Sequence, residues 1–391
     1  MTEAAQVALF ELTRSGKLVL EPFKTNLSPA LVSCIADHLA KHMSGFDRAR
    51  FEDGVFETLD TLELKQRAQL IADQLHLALP TKLKVRHKIL RAMLHPMDGD
   101  GGPSDERGVR GWGMMALTRV VGQHGLSDYE GALRLLKEMT SRFSSEFDVR
   151  PFLLEDQSRT LAIMSRWVDD PDHHVRRLVS EGTRPRLPWG MQLPLLIADP
   201  SPMLPLLTAL RDDPHEYVRR SVANHLNDIA KDHPDLVADL AKSWMRGADA
   251  NRKKLVRHAC RTLVKRAHPG ALAALGVAPP KLDVTALRVL TPRVEFGGAL
   301  RFTVSLISTS KRDQALVIDY LLHFKKANGT RAAKVFKWKK MTLAAGQSLQ
   351  MERKHPIRPI TTRKYYAGTQ AISLQINGQA YGLEEFELRG L

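Results

Sequence analysis

Carboxylates and guanidinium groups recur in this sequence at spacings that a helix turns into neighbours. Arg177 and Glu181 stand four apart, as do Arg142 and Glu146, Glu146 and Arg150, and Asn224 and Asp228, and positions four apart share a helical face. Taken singly, each pair is equally an ordinary ion pair on a solvated surface. Three acids, Glu146, Glu181 and Asp228, gathered inside a basic groove would be something else. Such a group stabilises a positive charge developing on a substrate and orients a water molecule for attack. Arg177 would hold Glu181. Nearby, Arg184-Pro185-Arg186-Leu187-Pro188-Trp189 is a proline-stiffened basic loop ending in an aromatic ring. Trp189 is expected partly exposed there, free to stack on a base or to hold a cationic one through cation–π attraction of about 0.5–2 kcal/mol. Trp112, Trp167 and Trp244 are expected in the core.

What must position these residues is helical. From Leu27 to about Ala274 apolar residues return at helical spacing, broken by short turns; Thr61–Leu79 is a clear amphipathic helix. The one long interruption, His95–Gly111, contains Asp98-Gly99-Asp100-Gly101-Gly102-Pro103 without the Gly-Lys-Ser/Thr of a phosphate loop, and reads as a connector. The organising fact is an internal echo. Asp169-Asp170-Pro171-Asp172-His173-His174-Val175-Arg176-Arg177-Leu178-Val179 returns as Asp212-Asp213-Pro214-His215-Glu216-Tyr217-Val218-Arg219-Arg220-Ser221-Val222, and Leu255–Ala259 is a looser third copy. A period near 40 residues with Asp-Pro opening a helix looks like HEAT repeats, which stack into a curved solenoid with a concave face. Ser141–Phe147 is expected in a repeat-like helix upstream, so that Glu146, Glu181 and Asn224 would form a column. Arg176 and Arg219 are expected to pack on the turn aspartates; Arg177 and Arg220, one step round, are the candidates for reaching a phosphate or the site.

After Pro279 the pattern changes to short runs rich in Val, Ile, Leu, Thr and aromatics: Val284–Leu290, Leu300–Ser308, Ala315–Phe324, Ala333–Met341, Gln347–His355 and Ala371–Ile376. Gly297-Gly298, Asn328-Gly329, Gly346 and Asn377-Gly378 separate or bound them. Six or seven strands in about 110 residues suit an immunoglobulin-like sandwich. The fold expected is therefore mainly α: a HEAT-like α-solenoid over residues 1–279, a linker at Leu275–Pro280, and a small all-β sandwich over 280–391.

A net charge of +15 on a chain with 43% hydrophobic residues must face solvent, and a polyanion is the natural partner, nucleic acid ahead of a membrane surface. Arg150, Arg184, Arg186, Arg220 and Asn224 are read as DNA contacts beside the acids. Arg257, Arg261 and Lys265 form one expected helical stripe along a phosphate backbone. In the sandwich, Lys337 and Lys339 belong to a lysine-rich hairpin that is either a guarded sheet edge or a second DNA clamp. Two cysteines, Cys34 and Cys260, lack the spacing of a disulfide framework or a zinc site. No metal or other cofactor is expected, and the segment Met1–Phe10 lacks a basic signal region. A soluble, cytoplasmic, monomeric protein follows from this reading.

Several stretches resemble the AlkC branch of the AlkC/AlkD-type DNA alkylation repair glycosylases. They are Leu62–Ala68, Glu146–Phe152 (Glu-Phe-Asp-Val-Arg-Pro-Phe), His174–Trp189 and Val256–Lys265. The resemblance implies a HEAT-like solenoid that excises cationic N-alkylpurines, 3-methyladenine above all, from duplex DNA while the damaged base stays in the helix rather than entering a pocket. It also implies an appended immunoglobulin-like domain in one subgroup, and it puts Glu146, Glu181 and Asp228 in the family's acidic cleft. Two other readings stay open on the residues alone: a non-enzymatic HEAT scaffold for nucleic acid or protein, and, with less support from ligand spacing, a metal-dependent nuclease.

Overall fold

A computed structural model describes residues 23–96, 102–360 and 363–390, together with the backbone of a short hairpin, β1 (Phe10–Leu12) and β2 (Leu18–Leu20). Met1–Leu9, and Met97–Gly101 of the expected connector, lie outside the described residues. Two compact units meet in sequence between Asp232 and His233.

The first unit is helical: α1 (Pro29–His42), α2 (Arg48–Phe56), α3 (Leu64–Ala78), α4 (Leu83–Ala92), α5 (Met114–His124), α6 (Tyr129–Thr140), α7 (Arg150–Glu155), α8 (Gln157–Met164), α9 (His173–Gly182), α10 (Pro194–Ala198), α11 (Leu204–Leu210) and α12 (Glu216–Ile229). The amphipathic stretch begins at Leu64 because Gln66 Oε1 accepts the Glu63 N–H at 2.9 Å, closing the helix start, and Ala68, Ile71, Ala72 and Leu75 fill the buried stripe.

The two matching segments build the same turn twice. Arg176 Nη1 donates to the carbonyls of Asp170 and Pro171 at 2.7 and 3.0 Å; Arg219 Nη1 donates to those of Asp213 and Pro214. Arg176 also grips Asp213 with two donors, at 2.5 and 3.1 Å, so one turn is riveted to the next. These two arginines are structural, as the sequence pattern suggests. Val175, Leu178 and Val179 of α9 and Val218, Val222 and Leu226 of α12 are buried.

Ser141–Phe147 is not helical. Arg142 Nη1 donates to Glu138 O at 2.8 Å, taking a carbonyl that a continuing helix would use, and Ser145 Oγ donates back to Leu136 O at 2.7 Å, folding the chain over the end of α6. The segment runs as turns into α7, whose first turn holds Pro151.

The second unit opens with α13 (Pro234–Met245), α14 (Ala250–Ala259), α15 (Arg261–Lys265) and α16 (Pro269–Ala274). The expected continuous stripe is broken at Cys260, where the Arg261 guanidinium takes the His258 carbonyl at 2.7 Å. Residues 275–280 are irregular. Among the described residues eight strands follow: β3 (Leu282–Val289), β4 (Arg293–Glu295), β5 (Ala299–Ser308), β6 (Gln314–Lys325), β7 (Arg331–Leu343), β8 (Ser348–Pro356), β9 (Gly368–Ile376) and β10 (Gln379–Arg389). They form sheets ordered β4-β10-β9-β6-β7 and β3-β5-β8. Phe302 and Tyr320 meet between them, ring centroids 5.1 Å apart, in a core with Leu300, Val304, Leu322 and Leu374. The Asn377-Gly378 turn has φ of +45° and +89°, the hairpin geometry this dipeptide favours. The Asn377 amide also accepts from Val317 N and donates to the carbonyls of Ala278 and Ala315, pinning the turn to the strand start.

Candidate active site

The first unit joins its acids through arginines into a single chain of charges. Glu146, in the turn before α7, accepts from Arg177 Nη1 at 2.6 Å. Arg177, on α9, reaches Glu181 Oε1 with its other terminal nitrogen at 3.6 Å. Glu181 accepts from Arg184 Nη1 at 2.6 Å. Arg184 in turn lies 2.8 Å from Asp228 of α12, and Lys231 closes the series on Asp228 Oδ1 at 2.8 Å. The order is thus Glu146, Arg177, Glu181, Arg184, Asp228, Lys231, alternating in sign. All but Lys231 are buried, Glu181 to 5% exposure and Asp228 to 2%.

Burial alone would lift the Glu181 carboxyl, but Arg177, Arg184 and the Ser221 hydroxyl outweigh it and hold it down at about 2. Glu181 is therefore an anion throughout the physiological range. Ser221 Oγ donates to its second oxygen at 2.6 Å and accepts from Ser180 Oγ at 2.9 Å. Arg177 also lies over the Tyr217 ring, 4.6 Å from its centroid, and its own guanidinium is held more basic than usual: burial opposes this, and the charges of Glu146 and Glu181 prevail. Behind the chain, His225 Nδ1 meets the Ser180 carbonyl at 2.9 Å, and complete burial pushes this imidazole down to about 4, so it stays neutral. Asp148, two residues past Glu146, accepts from Thr118 at 2.6 Å and is pushed by burial up to about 6.

The arrangement departs from a helical column. Glu146 comes from a turn, and neither Arg142 nor Arg150 is its partner: Arg142 serves the Glu138 and His95 carbonyls, and Arg150 those of Gly182 and Met191. Arg150 is 0% exposed and so cannot touch DNA, which corrects its reading as a contact. Arg184 is likewise committed to the two acids rather than to phosphate. Arg186 is half-buried and holds Asp232 with two bonds, at 2.8 and 2.9 Å. Asn224 is half-buried, four residues before Asp228 on α12, whereas Arg220 is exposed. Trp189 is 54% exposed at φ +66°, a left-handed conformation that costs a non-glycine residue on the order of 1–3 kcal/mol and must be held by its surroundings. Trp167 and Trp244 are buried; Trp112 is half-buried between Phe23 and Phe143.

In the second unit Arg257, Arg261 and Lys265 are exposed but divided between α14 and α15. Lys337 and Lys339 are exposed on β7, the edge of the larger sheet, where a bulge against β6 leaves Trp338 between them without a paired residue. Asp172, His173 and His174 bring potential ligand atoms within 4.8 Å of one another. Their carboxylate is already engaged, capping α9 at the His174 N–H at 2.8 Å and accepting from Ser141 Oγ.

Ser144, Ser180, Ser221, Tyr217 and Lys231 support the acids and escaped notice in the sequence. A signal was present for two of them. Where the first copy of the repeat has His174 and Leu178, the second has Tyr217 and Ser221, and a hydroxyl in place of a core leucine needs a partner.

The strands at 283–390 match the family described as "Uncharacterised protein YhaZ, C-terminal Ig-like domain". Over 362 residues the chain is 36% identical to the Bacillus subtilis (strain 168) uncharacterized protein YhaZ, covering 92% of this chain and 97% of that one. A solved structure, the Pseudomonas fluorescens alkylpurine DNA glycosylase AlkC bound to DNA containing an abasic site analog, superposes with a TM-score of 0.81 at 34% identity, over 95% of this chain and all of that one. The chain belongs to the AlkC family. It shares with AlkC the helical region followed by an immunoglobulin-like sandwich. In this AlkC family member, the alternating chain of acids and arginines lies wholly within the helical first unit.

Proposed function

We propose that the protein is a DNA glycosylase of base excision repair that hydrolyses the N-glycosidic bond of cationic N-alkylpurines, 3-methyladenine foremost, in duplex DNA without flipping the damaged base. The observation that carries this reading is the convergence of Glu146, Glu181 and Asp228 on Arg177 and Arg184, in a chain that superposes on an alkylpurine DNA glycosylase.

An alkylated purine already carries positive charge. When its C1′–N bond breaks, the electron pair returns to the ring and the base leaves neutral, so no acid is needed to protonate it. The burden falls on the sugar, which becomes cationic, and on the water that bonds to C1′ and gives up a proton. A carboxylate about 4 Å from that sugar, at an effective dielectric constant of about 20, supplies roughly 4 kcal/mol. Glu181, ionised and fixed by Arg184 and Ser221, is suited to this without reorganising as the charge appears. Glu146 orients the water, Asp228 is the third acid, Arg177 fixes the first two, and Trp189 supports the lesion or the sugar face.

Arg220, Arg186 and Asn224 would contact the duplex from the first unit; Arg257, Arg261, Lys265, Lys337 and Lys339 would do so from the second. On this reading residues 1–279 are a HEAT-like catalytic domain and 280–391 its immunoglobulin-like partner, and the protein acts as a monomer on chromosomal DNA in the cytoplasm. No helix among the described residues is long and apolar enough to cross a membrane.

Incubation with methylated duplex DNA and chromatography of the freed bases tests the reading. Release of 3-methyladenine above the spontaneous rate is expected. Tight DNA binding with no release would overturn it in favour of a binding scaffold.

A further inference from the structure

Arg150 is the largest fully buried side chain among the described residues, and its hydrogen bonds go to backbone carbonyls rather than to an acid. Nε donates to Met191 O at 2.6 Å and Nη1 to Gly182 O at 2.8 Å. Nη2 is buried with no partner among the described residues. A buried guanidinium that touches no carboxylate, with Glu146, Asp228 and Glu181 acting on it only from a distance, is a costly way to fill space, and an apolar side chain would avoid burying the charge. What an apolar side chain cannot do is hold two carbonyls of separate chain segments in one fixed fork.

Those two carbonyls bracket a short stretch. Gly182 ends α9, one residue past Glu181, and Met191 follows the Trp189 turn. Gly190 sits against the arginine: a Cβ there would lie 3.3 Å from Arg150 Nε and 3.1 Å from the Leu187 side chain. A second cation ties the same turn, since Lys65 of α3 donates to Trp189 O at 2.6 Å. Trp189 therefore stands at φ +66° with its carbonyl held by Lys65 and the next but one held by Arg150.

We infer that Arg150 is a positioning residue for Trp189, a buried strut that, with Lys65, fixes the aromatic ring relative to the carboxylate of Glu181. The part of this inference that concerns catalysis rests on the glycosylase reading; the part that concerns the geometry of the turn does not. Burial pushes the Arg150 guanidinium down to about 10, with Arg184 acting in the same direction and the charges of Glu146, Asp228 and Glu181 against it, so it still carries its charge at neutral pH. Lysine in its place keeps that charge but offers one donor nitrogen, and can hold one carbonyl firmly.

The experiment compares Arg150→Lys and Lys65→Met, each with and without Trp189→Ala, by single-turnover base release, DNA affinity and acrylamide quenching of tryptophan fluorescence. Trp189→Phe identifies the part of the fluorescence that belongs to Trp189. Arg150→Lys is expected to slow release about 10- to 100-fold, the size of effect that an ångström of misplacement produces, with affinity for DNA changed far less. In the Trp189→Ala background the same replacement should cost under about twofold, since a residue acting through another adds nothing once the other is gone. Quenching of the Trp189 component should change in both single variants. Lys65→Met, at an exposed side chain, keeps the test alive if Arg150→Lys fails to fold.

An equal loss with and without Trp189, or unchanged quenching in both single variants, would overturn the inference. If the wild-type protein releases no base, the glycosylase reading fails, and the quenching arm still decides whether Arg150 positions the turn.

Discussion

Replacing Arg184 with methionine keeps much of the side-chain volume and removes one guanidinium. In the structure that group lies 2.6 Å from Glu181 and 2.8 Å from Asp228, inside a nearly dry site. Its loss leaves Glu181 with Arg177 at 3.6 Å and the Ser221 hydroxyl, and Asp228 with Lys231 alone. Removing one partner of a buried pair costs about 3–5 kcal/mol, and since each acid loses its Arg184 contact but keeps another partner, the lower half of that range is expected. Urea unfolding followed by far-ultraviolet circular dichroism measures it. The penalty should shrink in acid: the depressed carboxyl of Glu181 stabilises the fold above the ordinary carboxylate range, and that contribution disappears as the pH falls towards 2. Adding Asp228→Asn removes one of the two under-compensated charges and should restore about 1–3 kcal/mol as a coupling energy. A loss below about 1 kcal/mol, or strict additivity of the two changes, would refute the claim that Arg184 bridges the acids.

His225 is neutral in the folded state and ordinary when unfolded, so its contribution is complete above about 6.5 and is lost as the pH falls from there to about 4. Melting temperature should decline over that window, and less steeply in His225→Gln; parallel pH profiles would argue against a buried neutral imidazole. Arg176→Met and Arg220→Ala should separate architecture from contact. The first cuts the rivet to Asp213, lowering stability by about 3–5 kcal/mol. The second, at an exposed site, should leave the melting temperature alone while lowering DNA affinity and reducing the salt slope by about one; the reverse pattern would misassign both arginines.

Much of the fold was legible because it repeats. The two Asp-Asp-Pro segments, with Val-Arg beyond them, announced α9, α12 and the turn arginines, and the change of period after Pro279 announced the sandwich. What was missed followed from side chains competing with backbone. Ser145 and Arg142 take carbonyls of α6, so a pattern compatible with a helix became the turn carrying Glu146. The Arg261 guanidinium does the same after α14. Strand β10 escaped because its run, Gly-Leu-Glu-Glu-Phe-Glu-Leu, is acidic on its open face and has few apolar positions. The three acids were identifiable by type, but their partners were not. Spacing put Arg150 beside Glu146, whereas Arg184, read as a DNA contact, is the bridge between Glu181 and Asp228. Long-range pairing of this kind depends on which faces α9 and α12 turn to each other, and the distance along the chain does not reveal it.

The central claim is that an ionised carboxylate within the arginine-bridged chain stabilises the sugar as the base departs. Single-turnover release of 3-methyladenine by Glu181→Gln, beside its affinity for the same duplex, tests this most directly. A fall of about 10²- to 10³-fold in release, with affinity unchanged within about threefold, is predicted. Release at the wild-type rate, or a loss wholly accounted for by weaker binding, would contradict it.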